Sequence, residues 1–303
     1  MLLTRVRQAA GAVIFDRVAG PDGPTRRDRI HGRPGPRLAE PGTPIWRVHS
    51  DAAVFIGGLR ALLLQALHPA AMRAVSEHSG YRGDMLGRLA RTSTFLATTT
   101  FGHVEDAEEA IEVVRRIHRR VRGTMPDGTP YRADDPHLLE WVHVAEIDSF
   151  LTAHQTYGAR PLDAAERDEY VAQTAEVARR LGVLDPPLTE RDLKERLEAF
   201  RPELRSTPEA REAVSFLLLR PPLGLAERVP YTVLAVAAIG LMPRWARWPL
   251  RLPWLPVTER TVVRALGTVA TSTIRWAMTP QRPPTPPKPQ SRPSPPPPSA
   301  AGE

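Results

Sequence analysis

Repeated helix-start signals constrain the fold of this chain more than any other feature. Between about Pro44 and Met278, short polar residues precede stretches with helical spacing of apolar side chains, often with proline or an acid directly after them. The candidate N-cap residues are Asp84, Asp135, Asp163, Thr189, Thr207 and Thr258. No segment shows a convincing alternation of apolar and polar residues, and no repeat of fixed period is present. The sequence therefore predicts an all-α protein with a single globular multi-helix domain.

The segments that flank this domain have a different character. Residues 1–18 place apolar side chains at helical spacing between arginines, which predicts an amphipathic helix that packs on the domain or rests on a membrane surface. Residues 19–44 are rich in Gly, Pro and Arg and indicate a linker or surface loop. Residues 45–278 form the predicted helical domain. Residues 279–303 contain eleven prolines, which predicts a disordered or polyproline-like tail.

Composition excludes several classes of function. The chain has no cysteine, so disulfides, thiolate metal sites and a cysteine nucleophile are excluded. The formal net charge is +7 and raises the question of nucleic-acid binding. The arginines, however, are spread over many helices and mostly alternate with acids, and no basic run has interleaved aromatic residues. We interpret them as a solvated surface and expect no nucleic-acid partner.

Two apolar stretches bear on export and on membranes. The run "AAGAVIF" ends at Asp16 and lacks a small-residue cleavage site, so we expect no signal peptide. Residues 231–242 form the longest apolar stretch elsewhere, and twelve residues are too few to span a bilayer. This stretch predicts a buried core helix. We expect a cytoplasmic protein whose membrane contact, if it has one, is peripheral and made by the first helix.

His118 lies in the unusual stretch "EEAIEVVRRIHRRVRG". It continues an apolar stripe formed by Ala107, Ile111, Val114 and Val121, while acids precede it and arginines surround it. The order of charges and the following Gly123 predict a helix that ends at a glycine cap and buries one side of His118. The ordinary interpretation is a hydrogen-bonded core histidine, and the alternative is a metal ligand. All nine histidines precede residue 155, so a histidine-bound metal would be held by the first half of the chain.

Arg88 and Thr92 form a second stripe on the helix predicted for "RLARTSTFLATTTFG". An arginine and a threonine one turn apart can direct a charged donor and a hydroxyl at one small volume. This arrangement suits an anion such as a propionate, or the polarisation of bound dioxygen. In the alternative, the arginine pairs with a nearby acid and the threonine bonds to its own helix.

The apolar segment 45–79 holds further candidates. Gly57-Gly58 would allow another helix or a flat ligand to approach the backbone. Gln65 and His68 are polar groups in a buried segment and need partners, and Pro69 should kink or end the helix. His68 is then a hydrogen-bonded core residue at a kink, or it points into a cavity.

Glu140 and His143 have the Glu-x-x-His spacing of di-iron carboxylate proteins. Such a site needs two of these pairs and two further carboxylates, and the sequence contains one pair. A surface glutamate with an interfacial histidine is therefore the preferred interpretation.

Several of these segments together resemble a known family. They are similar to the family named after the ER-bound oxygenase MpaB and the rubber oxygenase called latex clearing protein. The similarity runs in order from about Ile45 to at least Phe150, and more loosely to about Met278. The segments are "GGLRALLLQALHP", "SGYRGD", "RLARTSTFLATTTFG", "VVRRIHRRVRG" and "YRADDPHLLEWVH".

The resemblance implies a globin-reminiscent helical fold that holds haem b. It implies that His118 matches the proximal iron ligand, and that Arg88 and Thr92 match an arginine and a threonine near the haem. The implied reaction uses dioxygen to cleave carbon–carbon double bonds of an apolar isoprenoid chain. Rubber oxygenases can carry an iron-capping lysine just before the threonine. This chain has Arg91 there, and arginine stays protonated, so we do not expect that closed state.

These expectations define a first hypothesis and two alternatives. The first is a haem b-dependent oxygenase that acts with dioxygen on an apolar, isoprenoid or lipid-like small molecule. His118 would bind iron, Arg88 and Thr92 would act at the distal face, and His68 and Gln65 would be further cofactor-pocket candidates. The alternatives are a non-catalytic haem or lipid-binding protein and a di-iron carboxylate oxidase.

Overall fold

The computed structural model describes residues 2–80 and 83–279, and helices make up most of this part of the chain. The all-α prediction is confirmed, with one two-stranded hairpin as the exception. Residues 280–303 lie outside the described residues. The disordered tail predicted for residues 279–303 therefore falls almost wholly outside the part that the structure describes. The helices in chain order are α1 (Leu2–Ala19), α2 (Gly23–Gly32), α3 (Pro44–Ser50), α4 (Ala53–Gln65), α5 (Pro69–His78), α6 (Met85–Phe101), α7 (Val104–Arg120), α8 (Pro136–Tyr157), α9 (Ala164–Leu181), α10 (Glu190–Phe200), α11 (Pro208–Leu219), α12 (Leu225–Leu241), α13 (Arg244–Arg247), α14 (Pro256–Thr258) and α15 (Arg264–Met278).

Four further elements lie between these helices in the described residues. The antiparallel strands β1 (Arg122–Thr124) and β2 (Pro130–Arg132) connect α7 to α8. A 3₁₀ turn (Arg201–Glu203) follows α10, and a π-helical turn (Glu259–Val263) joins α14 to α15.

The predicted N-caps begin most of the long helices as expected. Asp84, Asp163 and Thr189 each accept a hydrogen bond from the backbone N–H three residues later. Asp135 caps α8 by accepting from the N–H of His137, two residues later, and Thr207 caps α11 by accepting from the N–H of Ala210, three residues later. Thr258 makes no capping bond, because the chain is already helical from Pro256.

The glycine cap predicted for α7 was wrong. The helix ends at Arg120, and Gly123 lies in β1 opposite Tyr131 of β2. A Cβ on Gly123 would lie 2.5 Å from Oη of Tyr131, so the glycine is needed for cross-strand packing and not for a left-handed cap.

Helices α4 and α8 pack closely at the centre of the molecule. A Cβ on Gly57 would lie 2.7 Å from the ring of Phe150 and 3.2 Å from the backbone oxygen of Ser149. The predicted close approach of another helix at this glycine is therefore confirmed, and that helix is α8. Beside it, buried Arg60 lies 2.7 Å from Asp148. The core is thus built around one tight helix pair.

Pro69 ends the helix, as predicted, and starts α5 at its first position. Helices α4 and α5 meet at a bend of 105°. Among the described residues, no single helix is long and apolar enough to cross a membrane, and α4 with α5 passes the same test only as a bent pair.

Two other expectations differ from what the structure shows, and both concern outer helices. Within residues 19–44, for which the sequence indicated a linker or loop, residues 23–32 form α2, which buries Ile30. The stretch 231–242 was predicted to be a buried core helix, and this was only half right. In α12, the buried positions are Ala235, Ala237 and Ala238, and the opposite side carries the exposed Val236.

Candidate functional site

The α6–α7 helix pair carries His118, Arg88 and Thr92. The two helices pack on each other and are joined only by Gly102 and His103, so they run antiparallel. Arg88 lies in the first turn of α6 and His118 in the last turn of α7. The antiparallel arrangement therefore brings both residues to the same open end of the pair, with Thr92 one turn further along α6.

His118 has an uncommitted imidazole ring. It is half-buried, and its Nδ1 is buried with no hydrogen-bond partner. Its Nε2 forms no hydrogen bond with the described residues either. Burial lowers the pKa of His118, and the nearby Asp134 carboxylate opposes this by raising the pKa. The ring is therefore neutral at pH 7 and has nitrogen lone-pair capacity that the protein itself does not use.

Arg88 is half-buried at the start of α6, and its guanidinium donates to Oγ of Ser79 at 2.8 Å. Thr92 is exposed on the same helix. Arg91 lies between them and pairs with Asp84 at 2.9 Å. The charged donor and the hydroxyl thus share one stretch of surface, while Arg91 is held by the helix cap.

His68 and Gln65 lie at the α4–α5 corner and face other partners. Gln65 donates to the backbone oxygen of Val142 at 3.2 Å. His68 is buried, neither ring nitrogen has a hydrogen-bond partner, and Glu203 is 3.6 Å away. The His68 ring also lies 6.2 Å from the ring of Trp141. The described contacts of His68 thus join it to α8 and the 3₁₀ turn, and none joins it to α6 or α7.

The Glu140–His143 pair does not assemble a di-iron site. Glu140 lies 3.3 Å from the guanidinium of Arg196 on α10. Among residues 2–80 and 83–279, no group of three or more His, Asp or Glu side chains is placed to hold a metal ion. His143 is nevertheless unusual, because its Nε2 is buried without a hydrogen bond and burial lowers its pKa to about 4. A carboxylate-bridged metal pair lacks its ligands here, whereas a haem needs only one axial nitrogen from the protein.

Sequence reasoning missed Glu146, which lies one turn after His143 on α8. Burial raises the pKa of Glu146 to about 7, and its carboxyl group forms no hydrogen bond or ion pair with the described residues. Burial raises the pKa of Tyr170 on α9, and the charge of Glu146 raises it further. A lone acid among the apolar residues of "VHVAEI" was the available signal, since a buried carboxyl without a cation is rare.

A buried hydrogen-bond chain was also missed. His49 on α3 is 2.8 Å from Oγ1 of Thr100 on α6 and 3.3 Å from Oη of Tyr170 on α9. Burial lowers the pKa of His49 to about 3, so the ring stays neutral. The chain links three helices, and Glu146 on α8 acts on Tyr170 only electrostatically. The signals for it were too dispersed in sequence to be connected.

The interior of this region thus contains polar groups that the fold leaves unsatisfied. His118 on α7 and His143 on α8 each have a buried nitrogen without a partner, and Glu146 has no cation. Most buried polar groups in native proteins are hydrogen-bonded, so such exceptions mark places where a ligand or water completes the site.

A family model described as "ER-bound oxygenase mpaB/B'/Rubber oxygenase, catalytic domain" matches residues 46–272, which is most of the chain. The chain belongs to the mpaB/rubber oxygenase family. No curated protein and no solved structure matches it significantly. Membership in the mpaB/rubber oxygenase family indicates an oxygenase, and hence an oxidoreductase that takes dioxygen and a small-molecule substrate. Rubber oxygenases use iron held in a cofactor. The matched range contains α6, α7 and α8, and therefore His118 and its neighbours.

Proposed function

We propose that this protein is a haem b-dependent oxygenase that acts on an apolar, isoprenoid or lipid-like small molecule. The observation that carries the proposal is the uncommitted imidazole of His118 in a family whose rubber oxygenases use cofactor-bound iron.

The residues around His118 fit a haem. A histidine ligates iron in its neutral form, and burial lowers the pKa of His118 toward that form. The ring nitrogen that does not bind metal commonly interacts with a carboxylate or a carbonyl. Asp134 lies in the loop after β2 and acts electrostatically on His118, so it is the candidate for that role. His118 would hold the iron, and Asp134 would hold the ring.

When bound, the haem supplies the site at which dioxygen binds and is activated. The side chains of α6 would then bind and orient. The Arg88 guanidinium, fixed by Ser79, offers a permanent positive charge to an anionic group such as a propionate. The Thr92 hydroxyl offers a donor and an acceptor one turn away. Arg91 is paired with Asp84, and a guanidinium is a poor iron ligand, so Arg91 would not cap the iron.

The surface around this end of the α6–α7 pair favours an apolar substrate. Three large apolar side chains on these two helices are exposed to solvent: Leu89, Val113 and Ile117. Ile117 precedes His118 in the sequence of α7. Exposed apolar patches next to a polar site are typical of grooves for apolar ligands. His68 and Gln65 remain proposed cofactor-pocket residues of the second rank, because their described contacts run to α8.

The test is dioxygen consumption by protein purified with haem supplied. An isoprenoid with internal double bonds should support uptake of dioxygen, and its fully saturated analogue should not. Haem binding without uptake for any unsaturated isoprenoid would instead identify a non-catalytic haem or lipid-binding protein.

We also propose a cytoplasmic location, with α1 as one peripheral contact to a membrane. This helix packs on α6 and α15 and exposes Val6 and Val13. Cell fractionation of the tagged full-length chain tests the location.

A further inference from the structure

Positive charge is concentrated in the last part of the described chain. Residues 228–279 contain seven arginines and a single acid, Glu259. Residues 1–227 contain 31 basic and 32 acidic residues, so they nearly balance. The even spread of arginines expected from the sequence therefore does not hold for α12 to α15.

Five of these seven arginines have no acidic partner among the described residues. Arg247 is buried and pairs with Glu259, and Arg275 pairs with Asp51 at 3.0 Å. The other five are exposed, and none of them forms an ion pair with a residue that the structure describes: Arg228, Arg244, Arg251, Arg260 and Arg264. This region thus presents a positive surface that acids within residues 2–80 and 83–279 do not neutralise.

The same region exposes most of the apolar surface. Of the 21 exposed large apolar side chains in the described part of the chain, twelve lie after residue 224. On α15, Leu266, Val269 and Trp276 are spaced by three and seven residues and form one stripe along the helix. On α12, Val229 and Val236 are seven residues apart and are also exposed. Each helix therefore has a solvent-facing apolar stripe.

The two stripes border a common groove. Arg228, Val229 and Val236 of α12 line a groove of about 350 Å³ together with Val263 and Leu266. A second depression of about 510 Å³ lies on α15, where Val269 and Trp276 line it together with the hydroxyl side chains of Thr268, Ser272 and Thr273. The first hollow is lined largely by apolar side chains, and the exposed Arg228 stands beside them. We call the exposed sides of α12 and α15 the C-terminal face.

The connection between the two helices adds further apolar groups at one end. Trp248 is 88 % exposed and stands between Arg244 and Arg251 in the sequence. Trp254 stacks on the Arg247 guanidinium at 4.6 Å and remains partly exposed. Tryptophan beside arginine is typical of segments that rest at a membrane–water interface.

We propose that the C-terminal face docks on the surface of an anionic phospholipid bilayer. Arginines without acids complement the negative headgroups, while the exposed Val, Leu and Trp side chains enter the headgroup–acyl boundary. A symmetric dimer through this face would bring unpaired arginines of two copies together, which costs free energy. A nucleic acid would use the arginines but would leave the two aliphatic stripes in water. The proposal is independent of haem and adds a surface distinct from α1.

The experiment is vesicle flotation of the full-length protein at low salt. Vesicles of phosphatidylcholine mixed with phosphatidylglycerol should carry the protein, and vesicles of phosphatidylcholine alone should carry much less. Each basic residue near an anionic surface contributes about 1 kcal/mol, so Arg260→Gln with Arg264→Gln should weaken partitioning on the order of 30-fold. The matched control is Arg191→Gln with Lys194→Gln on α10, which should bind like wild type.

A second pair of variants tests the apolar contribution. Leu266→Gln with Val269→Gln should weaken partitioning by about tenfold or more. The exposed Leu184→Gln is its control and should have no effect. All these positions are exposed, so circular dichroism should show unchanged folding.

Three outcomes would overturn the proposal. The first is equal binding to both kinds of vesicle, or binding to neither. The second is wild-type binding by both test variants. The third is a stable dimer in sedimentation that Leu266→Gln with Val269→Gln dissociates, because the C-terminal face would then be occupied by a second copy of the chain.

Discussion

Replacing Glu146 with glutamine should stabilise the protein at alkaline pH and leave it almost unchanged at acidic pH. Burial raises the pKa of this carboxyl group from 4.5 to about 7, and no described residue pairs with it. The folded protein therefore keeps a proton that the unfolded chain releases above pH 4.5. The contribution of Glu146 to the free energy of unfolding falls as pH rises from about 4.5 to about 7. Above pH 7 this contribution stays at its lower value.

The size of this effect follows from the same two values. A pKa difference of about 2.5 corresponds to up to about 3 kcal/mol at pH 8, because each pH unit is worth about 1.4 kcal/mol. Glu146→Gln keeps the shape of the side chain and carries no charge, so it removes this cost. The free energy of unfolding of the variant should exceed that of wild type by up to about 3 kcal/mol at pH 8, but by less than about 1 kcal/mol at pH 5.

Urea denaturation of haem-free protein at pH 5 and pH 8, followed by far-ultraviolet circular dichroism, measures both values. Glu195→Gln is the control, because Glu195 is exposed on α10 and its replacement should change stability by less than about 0.5 kcal/mol at either pH. An equal effect of Glu146→Gln at the two pH values would refute the reasoning, since the carboxyl group would then not be a buried, unpaired acid.

Three further predictions concern single side chains. Asp134→Ala should weaken haem binding about 10- to 100-fold in a titration followed by absorption, since it removes the charge next to His118; unchanged affinity would exclude a role for Asp134. Gly57→Ala should destabilise the protein by about 1–3 kcal/mol in urea, because its Cβ would lie 2.7 Å from a ring of α8, whereas Gly58→Ala, with its nearest ring atom at 4.0 Å, should not. Thr189→Ala should lower the free energy of unfolding by about 1 kcal/mol, because α10 loses its N-cap, and Thr258→Ala should lower it much less, because Thr258 makes no capping bond. Equal losses of stability in the two glycine variants would contradict the packing argument, and equal losses in the two threonine variants would contradict the capping argument.

The fold could be predicted where the signal is local. A cap such as Asp163 and the helix end at Pro69 depend on neighbours within four residues, so the sequence contains the whole interaction. Gly123 was assigned wrongly because its decisive partner, Tyr131, belongs to another strand. The apolar stretch in α12 was taken as core because sequence does not show which side of a helix has a partner. Only its alanine-rich side is covered.

The candidate site follows the same division. The stripe in α7 predicted the position of His118, and a family resemblance supplied the haem. Asp134 and Glu146 could not be found in this way, because their importance comes from the side chains that face them across other elements. Whether a cation or a hydrogen-bond partner lies next to such a group depends on how the helices pack. No local sequence pattern predicts this. The excess of arginine in residues 228–279 was visible in the sequence, but its exposure was not.

The absorption spectrum of the full-length protein purified with haem supplied tests the central claim most directly. We predict a Soret band for wild type, its loss in His118→Ala, and its retention in His143→Ala. His143 is the matched control, since it also has a buried ring nitrogen without a partner. Absence of a Soret band in the wild type, or a band that survives in His118→Ala and disappears in His143→Ala, would contradict the assignment of His118 as the iron ligand.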